Sequence, residues 1–177
     1  MSNITTFTKK FFDPVEAKTR DIDIIDIAHA LSMLCRANGH FTSFFSVAQH
    51  SLNCMYEAKA RGYSKRVQLG CLLHDASEAY LSDITRPMKS RLPEYLVIEE
   101  KLQNLIFDKW ITPTLTEEER KQVFEIDDAL LYYEFIALMG EKLFDQKPIL
   151  KSNPKFDFVD FKEVEKTFIE EFNNLLK

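Results

Sequence analysis

The chain contains 177 residues, of which 45% are hydrophobic and 29% are charged. This length and composition predict one soluble globular domain over residues 1–177, large enough to bury a core of its own. The formal net charge of −5 excludes a general basic surface for nucleic acid, so an anionic substrate would need local positive charge.

The three cysteines predict reduced thiols rather than a disulfide framework. Cys35, Cys54 and Cys71 are odd in number and lie within apolar helical patterns, which is typical of buried cysteines in a reducing compartment. No signal-peptide pattern opens the chain, and no uninterrupted apolar run approaches the ~18 residues of a membrane-spanning helix. We therefore expect a cytoplasmic protein that has no membrane partner.

Helical periodicity dominates the chain and predicts an all-α fold. Apolar residues recur every three or four positions, and no strand-length alternation is convincing. A polar and aromatic segment to about Pro14 is expected to be extended on the surface. The predicted helices run, in chain order, from Ile24 to before Asn38-Gly39, from Thr42 or Ser43 to Arg61, from Lys65 to about Tyr80, from Pro93 to Trp110, from the Thr116 cap to about Leu143, and along the stripe Phe161, Val164, Phe168, Phe172 and Leu175.

Local signals mark where several of these helices begin. Ser64 is a suitable N-cap for the third helix, and Pro93 suits the first turn of the fourth. Thr116 and Glu119 form the pattern of a capping box. Residues 82–90 are expected to be a loop, because Pro87 interrupts the helical pattern.

The stretch GCLLHDASEAYLSD carries the strongest candidate chemistry. On one helix, His74 and Glu78 are four residues apart and Asp75 and Glu78 are three apart, so the three side chains can share a face. The apolar residues before them predict a buried helix, where ionisable groups need a partner or a metal. An imidazole beside a carboxylate suits a divalent transition metal, but a buried hydrogen-bonded ion pair remains an alternative.

Two more ligands of such a metal can be proposed from the neighbouring helices. His50 lies in the apolar stretch FFSVAQHSLNCM, one helix before His74, where it is either a second nitrogen ligand or a core histidine. The residues three and four positions from Asp127 are all apolar, whereas those around Asp128 include Glu125 and Tyr132. Asp127 is therefore expected to face the interior and Asp128 the solvent or the rim of the site.

Taken in order, His50, the doublet His74-Asp75 and Asp127 resemble the H…HD…D signature of HD-domain metal-dependent phosphohydrolases. The resemblance extends over about residues 23–134. The segments HDASEAYLSDITRPMK, DIAHALSMLCRANGH and SVAQHS are similar to small bacterial and phage 5′-deoxynucleotidases and their deoxynucleoside-triphosphatase relatives. The resemblance implies a compact single-domain helical bundle of the HD type, in which these four residues bind one divalent metal ion and leave positions open for water and phosphate.

The resemblance also implies roles for residues around the metal. Glu78 would position a water or transfer a proton, and Asp83 would orient the attacking water. Arg36 matches an arginine that contacts the nucleotide phosphate, although a surface arginine at a helix C-terminus is the alternative. Arg86 and Lys89 form a second positive patch that could bind phosphate or sugar, or remain simple solvated charges.

These expectations define an enzyme that removes the 5′-phosphate from a (deoxy)nucleoside monophosphate with metal-activated water. The alternatives are a deoxynucleoside triphosphate triphosphohydrolase and a catalytically silent nucleotide-binding HD module. A two-metal phosphodiesterase is disfavoured by the presence of only four histidines. The mixed nitrogen and oxygen ligands do not distinguish Mn, Co, Fe, Ni, Zn or Mg, and a homodimer is plausible by analogy with relatives.

Overall fold

The computed structural model describes residues 3–177, and this part of the chain is mostly helical. A short antiparallel pair, β1 (Ile4–Thr5) and β2 (Phe11–Phe12), precedes the helices. The α-helices of the described residues are α1 (Ile24–Met33), α2 (Val47–Ala60), α3 (Lys65–Leu73), α4 (Glu78–Leu81), α5 (Arg86–Lys89), α6 (Pro93–Trp110), α7 (Glu117–Met139) and α8 (Phe161–Leu175), with a 3₁₀ turn at Arg36–Gly39 between α1 and α2.

Several predicted helix ends are confirmed by the caps. The Ser64 side chain accepts a hydrogen bond from the Val67 N–H at the start of α3. At the start of α7, Thr116 and Glu119 exchange both hydrogen bonds of a capping box. Pro93 opens α6, where its missing N–H costs nothing. Side chains thus satisfy unpaired backbone N–H groups at the starts of α3 and α7, whereas at the start of α6 proline removes one such group.

The N-terminal segment is not simply extended, because β1 and β2 form a small hairpin that the sequence pattern did not predict. Its turn is held on α1, where the backbone N–H and hydroxyl of Thr8 both donate to the carboxylate of Asp26. Lys10 forms an ion pair with Asp23 at 2.9 Å. These long-range contacts, rather than local alternation, stabilise the pair.

The predicted helix from Lys65 to Tyr80 is wrong in length, because α3 ends at Leu73. If the helix continued, the N–H of Asp75 would donate to the carbonyl oxygen of Cys71. Instead, Nδ1 of His74 lies 2.8 Å from that oxygen. Through the following turn the backbone bonds reach back three residues, as from Ala76 N–H to Leu73. The HD doublet therefore lies in a tight turn between α3 and α4.

Other predicted boundaries also need correction. The second helix begins at Val47 rather than near Thr42, because Ser46 caps it. Helix α7 ends at Met139 rather than about Leu143, because Gly140 adopts a left-handed conformation with φ of 72°. The predicted loop 82–90 contains the short helix α5.

The core is built from α2, α3 and α7, with α8 packed across α1, α2 and α3. As predicted, the α8 stripe is buried through Val164, Phe168 and Phe172, so this face completes the core of the chain itself. Cys54 and Cys71 are buried and Cys35 half-buried, all three as free thiols. Across residues 3–177, each helix is too short or too polar to pass through a lipid bilayer.

Candidate metal centre

The polar side chains predicted as metal ligands meet in the core between α2, α7 and the turn after α3. The Nε2 atom of His50 lies 3.2 Å from His74 Nε2 and 3.1 Å from Asp127 Oδ1. Asp75 Oδ2 lies 3.2 Å from His74 Nε2 and 3.8 Å from His50 Nε2. The structure thus brings all four side chains to one point, from three separate segments of the chain.

Both imidazoles direct the same nitrogen toward this point. The Nδ1 atom of His50 is hydrogen bonded to the carboxylate of Glu134, and Nδ1 of His74 to the carbonyl of Cys71. A ring nitrogen that bonds an acceptor carries the proton, so each neutral ring would present the lone pair of Nε2 to the cluster. Two nitrogen lone pairs and two carboxylates that converge in a buried place need a cation between them.

The pKa values of these groups indicate the same need for positive charge. Burial alone would raise the pKa of Asp75, but His74, Arg36 and His50 hold it well below its ordinary value. Burial also opposes ionisation of Asp127, yet hydrogen bonds with His50 and His74 lower its pKa. Conversely, Asp75 and Asp127 raise the pKa of His74 despite its burial. In the absence of a metal ion, protons on the imidazoles would fill the role of the cation.

Cys54 offers a second set of ligands that overlaps the first. Its sulfur lies 3.5 Å from His50 Nε2, and His50, Cys54 and His74 lie close enough together that they could hold a metal ion. Burial, together with the charge of Asp127, raises the pKa of the Cys54 thiol well above its ordinary value. A thiol is a poor ligand until it loses its proton. The lowered pKa values of Asp75 and Asp127 instead favour their ionised forms, and their oxygens lie 3.2 Å from His74 Nε2 and 3.1 Å from His50 Nε2.

The two adjacent acids on α7 separate as the helical pattern predicts. Asp127 directs Oδ1 to His50 and Oδ2 to Arg86, at 3.1 and 2.7 Å. Asp128 instead forms a 2.6 Å ion pair with Arg86 and has a side chain that is 35% exposed. Asp127 therefore faces the histidine pair, and Asp128 lies at the rim.

Glu78 and Asp83 lie beside the cluster without touching a histidine within hydrogen-bond distance. Glu78 is buried, and its Oε2 atom has no hydrogen-bond partner among the described residues. Burial and the negative charges of Asp75 and Asp83 raise the pKa of Glu78. Burial also raises the pKa of Asp83, with only partial compensation from Arg36. Both carboxyl groups are thus biased toward holding a proton.

Arg36 is part of the centre rather than an exposed arginine at the end of a helix. It is buried in the 3₁₀ turn after α1, where its two terminal nitrogens contact Asp75 and Glu134, each at 3.2 Å. The next residues, Ala37 and Asn38, have left-handed backbones with φ of 53° and 52°. Such backbone strain in non-glycine residues is common at functional sites. Phosphate binding by Arg36 stays a prediction.

Arg86 and Lys89 are not simple solvated charges, because carboxylates hold both of them at the rim. Arg86 bridges Asp127 and Asp128 and lies over the ring of Phe124. Lys89 Nζ lies 2.6 Å from Glu99 Oε1 and 3.5 Å from Glu78 Oε1. Whether they bind phosphate or sugar stays a prediction.

An open cavity of about 450 Å³ reaches the HD doublet from outside. His74 and Asp75 form one wall, and Ser77, Lys89 and Gln103 contribute polar atoms around it. Its volume lies within the range of small-ligand sites. A larger cavity of about 690 Å³ lies beside Asp128 and contains none of the four converging side chains. The smaller cavity is therefore the one that belongs with the candidate chemistry.

Cys54 and Glu134 are buried residues of the centre that the sequence did not predict to lie there. Glu134 has the more extensive contacts with it. It is fully buried and contacts both His50 and Arg36. Glu134 follows Asp127 by seven residues, which places the two on one face of α7 after two helical turns. A second signal is local: the residues three and four positions from Glu134 are Leu130, Leu131, Ala137 and Leu138, all apolar, which is the same pattern that predicts burial of Asp127.

Comparison with known proteins identifies two relatives whose names state no activity. No family model matches the chain. It is 41% identical over 113 residues to the protein named uncharacterized protein YfdR of Escherichia coli (strain K12), covering 64% of this chain and 61% of the relative. It is 32% identical over 124 residues to uncharacterized protein RCAP_rcc00048 of Rhodobacter capsulatus, covering 67% of this chain and 63% of that relative. The chain thus spans less than two thirds of the length of both relatives.

Proposed function

We propose that this chain is an HD-type, metal-dependent phosphohydrolase that removes the 5′-phosphate from (deoxy)nucleoside monophosphates. One observation carries the proposal. Two imidazole nitrogens and two carboxylate oxygens converge, and each nitrogen lies 3.1–3.8 Å from each oxygen. They belong to His50, His74, Asp75 and Asp127. They converge beside a cavity that opens to solvent.

The donor set fits a divalent transition metal, because imidazole and carboxylate together satisfy a cation of intermediate hardness. His50, His74, Asp75 and Asp127 would hold it, with Nε2 of each histidine as the nitrogen donor. When bound, such an ion would polarise a phosphate oxygen and lower the pKa of a water molecule. The orientation of both histidines by acceptors at Nδ1 is the arrangement that metal-ligating imidazoles commonly have.

The rim supports an anionic substrate in a chain of net negative charge. Lys89 lines the cavity beside the HD doublet. Arg86 does not line that cavity but forms an ion pair with Asp127, one of the proposed ligands. A phosphate that enters there would exchange the carboxylate partners of these cations for its own oxygens. The guanidinium of Arg36, which contacts Asp75, would add N–H donors whose planar arrangement suits two phosphate oxygens.

Glu78 is the proposed proton carrier, and Asp83 the residue that orients the attacking water. The free Oε2 atom of Glu78 is an acceptor with no partner among residues 3–177. In its carboxylate form Glu78 can take up a proton from the attacking water and return it to the leaving oxygen, and its raised pKa makes that carboxylate a stronger base. A positioned group of this kind contributes about 10²–10⁴-fold to the rate.

The remaining histidines of the chain favour one metal ion rather than two. His29 lies 3.0 Å from Glu165 and stacks on Phe7, so its contacts are with α8 and the N-terminal hairpin rather than with the proposed ligands. His40 is exposed at the end of the 3₁₀ turn. Neither lines the cavity beside the HD doublet, so hydrolysis of a bridging phosphodiester by two metals is the less suitable chemistry.

The test is phosphate release from a panel of nucleoside mono- and triphosphates, with Mn²⁺ or Co²⁺ added to metal-stripped protein. We expect inorganic phosphate from monophosphates and none after chelation. Asp75→Ala and Asp127→Ala should lose metal binding in calorimetry, whereas the matched variant Asp128→Ala should keep it. Triphosphate as product would instead select the deoxynucleoside triphosphate triphosphohydrolase, and metal binding without any release would select the silent nucleotide-binding module.

A further inference from the structure

We propose that Glu134 is a positioning residue of the candidate metal centre, where it holds His50 with Nε2 toward the ligand cluster and shares Arg36 with Asp75. The inference rests on the proposed function, because it assigns a role within the same centre. Glu134 is fully buried on α7, and both of its carboxylate oxygens contact residues of the centre.

The first part of the role concerns the tautomer and angle of one imidazole. Glu134 Oε1 lies 2.5 Å from His50 Nδ1, so this nitrogen is the donor and Nε2 keeps its lone pair. Nε2 then faces Asp127 Oδ1 at 3.1 Å and His74 Nε2 at 3.2 Å. A carboxylate partner also makes an imidazole more basic than a backbone carbonyl does, so His50 should be a stronger donor than His74.

The second part of the role concerns the guanidinium of Arg36. It contacts Oδ2 of Asp75, the oxygen that a bound metal ion would also need. Arg36 Nη1 lies 3.2 Å from Asp75 Oδ2, the oxygen that also faces both histidines. Glu134 Oε2 lies 3.2 Å from Arg36 Nη2 and balances part of its charge. Without Glu134, Arg36 would be free to pair with Asp75 alone and would draw that ligand away from the cluster.

A carboxylate this deep is costly unless it is paired, and its partners here are site residues. His50 and Arg36 lie on other segments, so the hydrogen bonds of Glu134 join α7 to the ligand face of α2 and to the turn after α1. A glutamate buried only to support packing would make its bonds to backbone and scaffold, as Glu57 does with Arg61, Lys151 and Ser152. Glu57 is therefore the matched control.

The experiment is calorimetric titration of Co²⁺ into metal-stripped wild type, Glu134→Gln and Glu57→Gln. The amide oxygen introduced by Glu134→Gln could still accept from His50, but it carries no charge. We expect Glu134→Gln to bind Co²⁺ about 10–100-fold more weakly than wild type, and Glu57→Gln to bind within about twofold of it. Equal Co²⁺ affinity in wild type and Glu134→Gln would overturn the inference.

A second measurement needs no variant and covers the case in which Glu134→Gln does not fold. ¹⁵N spectra of the Zn²⁺-bound wild type, whose ring nitrogens carry a single proton, should place the proton of His50 on Nδ1, with the strong hydrogen-bond shift of a carboxylate partner. A proton on Nε2 of His50 in that state would contradict the proposed orientation. Wild type that binds no Co²⁺ would instead remove the metal centre itself, so failure of the proposed function is distinguishable from failure of the role given to Glu134.

Discussion

Two buried glutamates, Glu57 and Glu78, differ in how many of their carboxylate oxygens accept hydrogen bonds. All the hydrogen-bonding capacity of Glu57 is directed to the fold, with donors from Arg61, Lys151 and Ser152 on both of its oxygens. Glu78 is almost as deeply buried but has one oxygen without a partner among the described residues. A buried polar atom left unsatisfied costs free energy of about 1–3 kcal/mol. Such a cost is expected where the atom must be available to a substrate.

Replacing Glu78 should therefore separate activity from stability. We expect Glu78→Gln to lower the rate of phosphate release by about 10²–10⁴-fold, because the amide cannot carry a proton. Co²⁺ affinity should stay near that of wild type, since Glu78 is not among the proposed ligands. The free energy of unfolding should be equal or higher, because a buried carboxylate with a raised pKa destabilises the fold above its ordinary pKa.

The control for this variant is Glu94→Gln, which removes one exposed carboxylate from the start of α6. Its rate and stability should match those of wild type. Turnover by Glu78→Gln at the wild-type rate would rule out Glu78 as the proton carrier. A large loss of stability in Glu78→Gln would show that Glu78 supports the fold instead.

At the residue scale, the sequence predicted the four proposed metal ligands better than the residue that orients one of them, Glu134. His50, His74, Asp75 and Asp127 are polar residues in apolar helical stretches, so their neighbours indicate burial. Glu134 lies among residues such as Tyr133 and Phe135, but its partners His50 and Arg36 are 84 and 98 positions away. The apolar residues three and four positions away indicate that Glu134 is buried, but local spacing does not identify these partners, which depend on how α7 packs against α2.

At the level of elements, the turn after α3 is the feature that local pattern could not foresee. Residues 65–80 satisfy a helical pattern throughout, yet the backbone changes its bonding at the HD doublet. The change accompanies the hydrogen bond from His74 Nδ1 to Cys71, and that bond also orients Nε2. The departure from an ideal helix thus lies where the candidate chemistry lies, as expected when local preference yields to a functional arrangement.

Helix α7 is the opposite case, because its start is determined by local signals. Thr116→Ala removes the hydroxyl that accepts the Glu119 N–H at 3.2 Å. We expect the free energy of unfolding to fall by about 1 kcal/mol, visible as a lower midpoint of urea unfolding with an unchanged slope. Co²⁺ affinity should not change, because Asp127 lies about three helical turns further along α7.

Thr116→Ser is the control for this prediction, because it keeps the hydroxyl and should recover most of the stability. The ion pair between Glu119 and Arg66 on α3, at 3.0 Å, remains in both variants and limits the loss. A loss of about 3 kcal/mol or more in Thr116→Ala would exceed any capping effect. It would show that the start of α7 supports the core in some other way.

Across the whole molecule, one buried carboxylate ties the helical core to the long connection between α7 and α8. Glu57 on α2 accepts hydrogen bonds from the backbone of Lys151 and Ser152 and from the Ser152 hydroxyl. The same segment continues past Asn53 and Gln49, whose side-chain amides donate to the carbonyls of residues 155 and 157. One face of α2 thus holds the connection in place, while His50 on α2 belongs to the candidate metal centre.

The stability contributed by Glu57 should depend on pH in a defined direction. Burial alone would raise the pKa of Glu57, but hydrogen bonds from Ser152 and Arg61 outweigh it and hold the pKa below its ordinary value of 4.5. The contribution of Glu57 to the free energy of unfolding is therefore complete above about pH 4.5 and is lost as the pH falls through the lowered pKa.

We expect Glu57→Gln to lower the free energy of unfolding by about 2 kcal/mol at pH 7. This difference from wild type should become smaller as the pH is lowered toward the acid limit of folding. Urea unfolding at a series of pH values measures this, with the exposed Glu141→Gln as control. A difference that grew on acidification would mean that Glu57 is protonated in the folded chain, contrary to its hydrogen bonds.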